Sequence, residues 1–257
     1  MIANLARLAL VTLLSAAVGG IANAQSASQQ IAAGDRAHDA RRPSEALAYY
    51  EAVLSADPAS YDALWRASRE AVDLGEAETA PAKRSDLFTS AEDYGRRAVA
   101  ANPSDAEGHF ALARALGRTA LTLGSRQRVR YAAEVRDAAL SALELNPTHA
   151  GALHVMGVWN AEIMRLGRLE RFFARNLLGG GVFSQASWNE AARYLERAVA
   201  LEPERITHRV ALARVYIDLD SVERAREQLV MAEQLPLAEF NDAAYKREAA
   251  ELLASLR

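Results

Sequence analysis

The chain has 257 residues, 51% hydrophobic, 25% charged and 7% aromatic, with a formal net charge of -3. These proportions sit near globular averages and exclude a collagen-like chain, a coiled-coil rod and a low-complexity tail. The near balance of charge provides no field to attract nucleic acid or an anionic bilayer, and the absence of cysteine excludes disulfides, thiolate metal sites, a cysteine nucleophile and a lipid-bearing cysteine.

Residues 1–24 read as an export signal. Arg7 is the only charge before Asp35, Leu8 to Val18 are largely apolar, Gly19-Gly20 breaks the run, and Ala22-Asn23-Ala24 is a small-x-small site. Cleavage is expected after Ala24. The run is short for a membrane span of roughly 20 residues; a retained N-terminal anchor is the alternative. Lys83 and Lys246 are the only lysines among 30 basic residues. With the abundance of Ala, that usage fits a GC-rich bacterial genome and a periplasmic or secreted destination.

Residues 25–257 read as one repeat domain. Four segments end alike: EALAYYEAVLSADP (45–58), SAEDYGRRAVAANP (90–103), EVRDAALSALELNP (134–147) and EAARYLERAVALEP (190–203). Each has apolar or small residues at helical spacing and stops at a proline, which cannot continue a helix. Ten residues after each proline stand Ser68, Ala113, Gly157 and Ala213. Twelve before it stand Ala46, Ala91, Val135 and Ala191. Small residues at fixed slots let helices approach closely, as in the tetratricopeptide pattern of helix A, turn, helix B and proline. A fifth unit is expected at 204–219 and 222–234, with Ala225 in the equivalent slot. A capping helix is expected at about 240–256, with Tyr245, Ala249, Leu252, Leu253 and Leu256 inward and Asp242, Lys246, Glu248 and Glu251 outward. No segment reads as a strand. The expected fold is all-α: a right-handed superhelix of about five helix pairs plus a C-terminal capping helix.

Two starts look like capping boxes, Ser104-x-x-Glu107 and Ser187-x-x-Glu190. The prolines lie 45, 44 and 56 residues apart. The first two excesses predict long A helices and expanded loops in units two and three. The largest falls in an insertion at about 164–186.

LWRASREAVDL (64–74), NPTHAGALHVMGVWNAEI (146–163), LERFFARNLLGG (169–180) and SWNEAARYLERAVALEP (187–203) follow in that order with those spacings. In this the chain resembles the regulator of microtubule dynamics family, a divergent tetratricopeptide family with bacterial relatives. The resemblance covers residues 45–255. It implies an all-helical superhelix used for binding and brings no catalytic motif. An exported chain does not meet tubulin, so the family name does not transfer as a function.

Helix A residues of such a superhelix face its concave side. Seven residues after each proline stand Trp65, Phe110, His154 and Val210, and eleven after stand Arg69, Arg114, Val158 and Arg214. Trp65, Phe110 and His154 beside Arg69, Arg114 and Arg214 are candidates to line a groove for a protein or peptide with an acidic group. The structural alternative pairs each Arg with an acid of the next repeat, such as Glu70 or Glu107, and packs each aromatic into the core. A second candidate is the basic amphipathic stretch 164–183, with Arg168, Leu169, Phe172 and Phe173, which suits a membrane surface or an apolar ligand. Its structural alternative folds these apolar residues back into the superhelix. No His pair has metal-ligand spacing, Gly179-Gly180-Gly181 lacks the Lys of a phosphate loop, and no G-x-S-x-G elbow occurs. The expectation is a non-enzymatic, cofactor-free and metal-free monomer that binds protein or peptide in its groove and no nucleic acid. The alternative is a lipid or apolar-ligand module.

Overall fold

The computed structural model describes residues 26–166 and 183–256; among these every regular element is a helix. Helix α1 covers 26–39. It is followed by α2 (Pro43–Ala56), α3 (Tyr61–Ala77), α4 (Pro81–Ala101), α5 (Ala106–Thr122), α6 (Ser125–Leu145) and α7 (Ala150–Arg165). A 3-10 turn at Phe183–Gln185 leads to α8 (Trp188–Leu201), α9 (Ile206–Asp218), α10 (Val222–Gln234) and α11 (Asp242–Ser255). Helix α3 packs on α4, α5 on α6, α7 on α8 and α9 on α10. The first helices of successive pairs also touch in order, α3 with α5, α5 with α7 and α7 with α9, and together they build one inner face. No helix of the described residues is long and apolar enough to cross a membrane.

The small slots are where helices meet. Ala46, Ala91, Val135, Ala191 and Ala225 are all buried, as are Ser68, Ala113, Gly157 and Ala213. The Ser68 hydroxyl donates to the Ala91 carbonyl oxygen at 2.8 Å, which satisfies a polar atom inside the contact. At Gly95 a Cβ would stand 2.8 Å from Leu112 Cα, and at Gly157 2.5 Å from the Leu195 side chain. Neither place has room for a methyl group.

The connections are built from local chemistry. Asp57, Asn102 and Asn146, each just before a proline, accept the backbone N–H two residues on at 3.1–3.2 Å. This Asx turn stops helix B before the proline does. The four proline carbonyls accept from side chains: Arg97 on Pro58, His109 on Pro103, Arg197 on Pro147 and Arg209 on Pro203. Arg41 and Asp220 take left-handed conformations, with φ of 58° and 56°. Each closes the A-to-B turn of its unit with the paired backbone bonds of a Schellman cap.

Three local expectations are corrected. Units two and three are long because helices B lengthen as well. Helices α4 and α6 have 21 residues against 17 in α3 and α5, and the connections between them are short. Pro81 at the first turn of α4 starts that helix early. The cap of α5 is Asp105, whose carboxylate accepts from Glu107 N–H, in place of Ser104; the Ser187 cap is as expected. Asp242 is buried, because its carboxylate accepts the N–H groups of Ala238 and Glu239 and so holds the chain entering α11.

Helix α11 lays Ala249, Tyr245, Leu252, Leu253 and Leu256 on the last pair. Two glycine substitutions on the same stack should act in opposite directions. Gly95→Ala lowers stability by about 1 kcal/mol or more in urea unfolding. Overpacking costs about 1–3 kcal/mol and exceeds the gain of about 1 kcal/mol from replacing a helical glycine. Gly117→Ala, whose added Cβ meets nothing within 4 Å, raises stability by about 0.5–1 kcal/mol.

Candidate partner-binding face

A helix returns to the same face every third or fourth residue. The inner face therefore carries Trp65, Arg69 and Asp73 on α3, Phe110, Arg114 and Arg118 on α5, His154, Val158 and Glu162 on α7, and Val210, Arg214 and Asp218 on α9. The last member of each row extends the candidate set by one more turn, and of these Asp73 pairs with Arg114, while Glu162 and Asp218 both pair with Arg165. Asp73 and Arg118 were missed by sequence reasoning although the same four-residue step reaches them.

At the centre, Arg114 Nη2 lies 2.5 Å from Asp73 Oδ1 and 3.2 Å from Glu76 Oε1, and Arg118 Nε lies 2.8 Å from the same Glu76 oxygen. Helix α11 completes the cluster. Tyr245 donates its hydroxyl to Glu76 Oε2 at 2.9 Å, Arg118 donates to that hydroxyl at 3.2 Å, and the Asn241 amide donates to Glu76 Oε2 at 3.2 Å. Burial pushes the Glu76 carboxyl up, but Arg118, Arg114 and the Tyr245 hydroxyl outweigh it and hold the group below its usual range. Asp73 stays above its usual range, since burial is only partly offset by Arg114. Two acids and two guanidiniums thus neutralise one another out of water.

The remaining candidates have definite neighbours. Trp65 lies under two guanidiniums, Arg66 at 4.2 Å and Arg69 at 5.4 Å from the ring centroid. Arg69 Nε also lies 2.7 Å from Glu70 Oε1, and that fully buried carboxylate is 3.0 Å from His38 Nδ1. Phe110 packs on His149 with ring centroids 4.6 Å apart and also fills the space above Gly151. His154 and His208 face each other with Nδ1 atoms 3.1 Å apart. Arg214 pairs with Glu248 of α11. The guanidinium forks expected for a ligand carboxylate are engaged by the chain's own acids. Arg168, Leu169, Phe172 and Phe173 lie outside the described residues. Beside α7 an open cleft of about 370 Å³ is lined by Glu162, Arg165, Arg214, Ile217, Asp218 and Leu252. His38, Glu70 and Asp73 each bring one ligand-type atom within 4.8 Å of the others. Arg69 and Arg114 already hold those two carboxylates, so a cation there competes with two arginines.

Burial pushes the His154 imidazole well below its ordinary value, helped by His208, Arg118, Arg114 and Arg205. Burial also lowers His208, against the pull of Glu202. Both rings therefore take up a proton less readily when folded, while an unfolded histidine takes one below about pH 6.5. The unfolded state then binds more protons, so stability falls as pH drops below that value. Glu76 and Glu202, whose values are lowered, add their loss only in more acidic solution, through the carboxylate range. Urea midpoints should decline from pH 7 to pH 5, with a shallower slope in His208→Gln. Charge removal should also separate the arginines. Arg114→Ala leaves the buried Asp73 without its ion-pair partner, while Glu76 keeps Arg118, and costs about 3 kcal/mol. Arg214→Ala breaks a half-exposed pair and costs no more than about 1 kcal/mol, measured the same way.

The family model described as Regulator of microtubule dynamics protein 1-3 matches residues 30–257. Regulator of microtubule dynamics protein 1 of Mus musculus is 27% identical over 195 residues, which are 75% of this chain and 63% of that protein. The Caenorhabditis elegans protein of the same name is 27% identical over 192 residues, 75% of this chain and 84% of that one. The match thus spans less than two thirds of the mouse relative's length. A solved thermophilic TPR protein of Thermus thermophilus superimposes with a TM-score of 0.62 at 22% identity, covering 90% of this chain and 98% of that one. PilF of Pseudomonas aeruginosa gives 0.51 at 14% identity, covering 91% and 90%. These likenesses show the fold, a tetratricopeptide-type helical repeat. With the family model matched over nearly its whole length, the chain belongs to the regulator of microtubule dynamics family.

Proposed function

We propose that this is an exported, non-enzymatic binding protein that takes a protein or peptide partner on its inner face. The observation that carries the reading is the stack of α3, α5, α7 and α9, which brings aromatic and charged side chains from four repeats onto one surface. Such a surface suits an extended partner contacted at several repeats, as solenoids allow. Trp65 is the natural anchor. It is partly buried, and two guanidiniums hold its ring in one orientation, so little freedom is lost on contact. The N-terminal signal supports delivery to the periplasm, with Gln25 as the first mature residue. The relatives' names concern microtubule dynamics, and that activity is not carried over to an exported chain.

Native mass spectrometry of the chain purified from periplasm tests this. The mature mass should begin at Gln25, and a protein or peptide should remain bound. Trp65→Ala should lose at least about tenfold of that partner, as truncating an anchor of about 1.4 kcal/mol or more requires, with helical content unchanged. Undiminished capture would move the binding surface elsewhere. Bound lipid in place of a partner would support the apolar-ligand reading of residues 164–183.

A further inference from the structure

Tyr245 and Asn241 occupy the centre of the inner face. They stand one helical turn apart and reach the same oxygen, Glu76 Oε2, at 2.9 and 3.2 Å. Asn241 also donates to the Asp73 carbonyl oxygen at 3.1 Å, and Arg118 donates to the Tyr245 hydroxyl at 3.2 Å. Just before them, the Leu237 carbonyl oxygen accepts from Arg41 at 2.9 Å. Residues 236–240, which lead into α11, lie mostly at the surface, while α11 itself packs on the last pair. Leu237 and Phe240 are exposed, and α11 fully buries only Asp242 and Ala249.

We propose that the subsite formed by Glu76, Arg118 and the Asp73 carbonyl is the recognition site of the inner face, and that the chain's own residues 237–245 fill it as an internal ligand. The partner is a protein segment that presents a carboxamide and a hydroxyl one helical turn apart. The charges select this chemistry. The two acids and two guanidiniums pair with one another, so neither a carboxylate nor an ammonium finds a free counter-charge. The four charges already pair within the chain, so neutral donors and acceptors meet the hydrogen-bonding capacity left over. A partner must displace a tethered competitor, whose effective concentration is on the order of millimolar.

The test uses the full chain and a fluorescein-labelled peptide copying residues 236–256, followed by anisotropy. The Asn241→Ala/Tyr245→Phe variant should bind the peptide at least tenfold more tightly than the unaltered chain, and adding Glu76→Gln should abolish the gain. Tyr245→Phe alone keeps the ring packed and guards against misfolding. With circular dichroism unchanged, it should speed amide exchange in residues 237–245 several-fold. Equal peptide binding by the unaltered and opened chains, or unchanged exchange, overturns the proposal. The inference rests on the inner-face reading, and the two fail differently. That reading fails in partner capture by Trp65→Ala, and this one fails in peptide binding.

Discussion

Close approach of helices at small side chains is the constraint on which the structure depends. A helix pair in this family of folds cannot bury its apolar stripe alone and must stack. Stacking brings backbones together where a slot holds a small residue, and at Gly95 an added Cβ would meet the backbone of Leu112 itself. Once these contacts fix the spacing of neighbouring pairs, the inner helices follow in register. Residues about one repeat apart in sequence then become neighbours on one face, as are Asp73 and Arg114 at a separation of 41. Arg114 meets Asp73 for that reason, and no local propensity would bring them together.

The buried charges follow from that geometry. Removing two carboxylates and two guanidiniums from water is expensive, and the cost is offset only when the geometry is good and remaining lone pairs are met. Here the last lone pairs of Glu76 are met by the hydroxyl of Tyr245 and the amide of Asn241, which come from the other end of the chain. The cluster is thus completed by the helix that also covers the last pair, and the inner face is polar at its centre and aromatic toward α3.

Much of this architecture was legible in the sequence because proline and small residues recur at fixed offsets. The Asp/Asn before three of the prolines explains the turns in the same terms. The fifth pair and the capping helix followed from spacing alone. The pairing of the arginines was legible only as an alternative, in which Arg69 does meet Glu70; Asp73 and Arg118 lie one four-residue step beyond Arg69 and Arg114, and Glu76 lies off that step. Asp242 was misjudged because a hydrophilic residue on the polar side of a stripe reads as solvated. Its burial depends on two backbone N–H groups upstream that no periodicity reveals. Tyr245 was read as a core residue, and its ring does pack there, but its hydroxyl crosses to a helix 169 positions earlier.

That long reach has a kinetic meaning. Contacts within and between successive helix pairs span few residues and form early, whereas contacts of high sequence separation must first overcome loop-closure entropy. A chain made from its N-terminus exposes Glu76 and Arg114 long before residue 245 exists. The acid laid down early waits for a hydroxyl synthesised near the end. The hydrogen bonds of Glu76 to Tyr245 and Asn241 therefore form only after the repeats that carry the acid have been made.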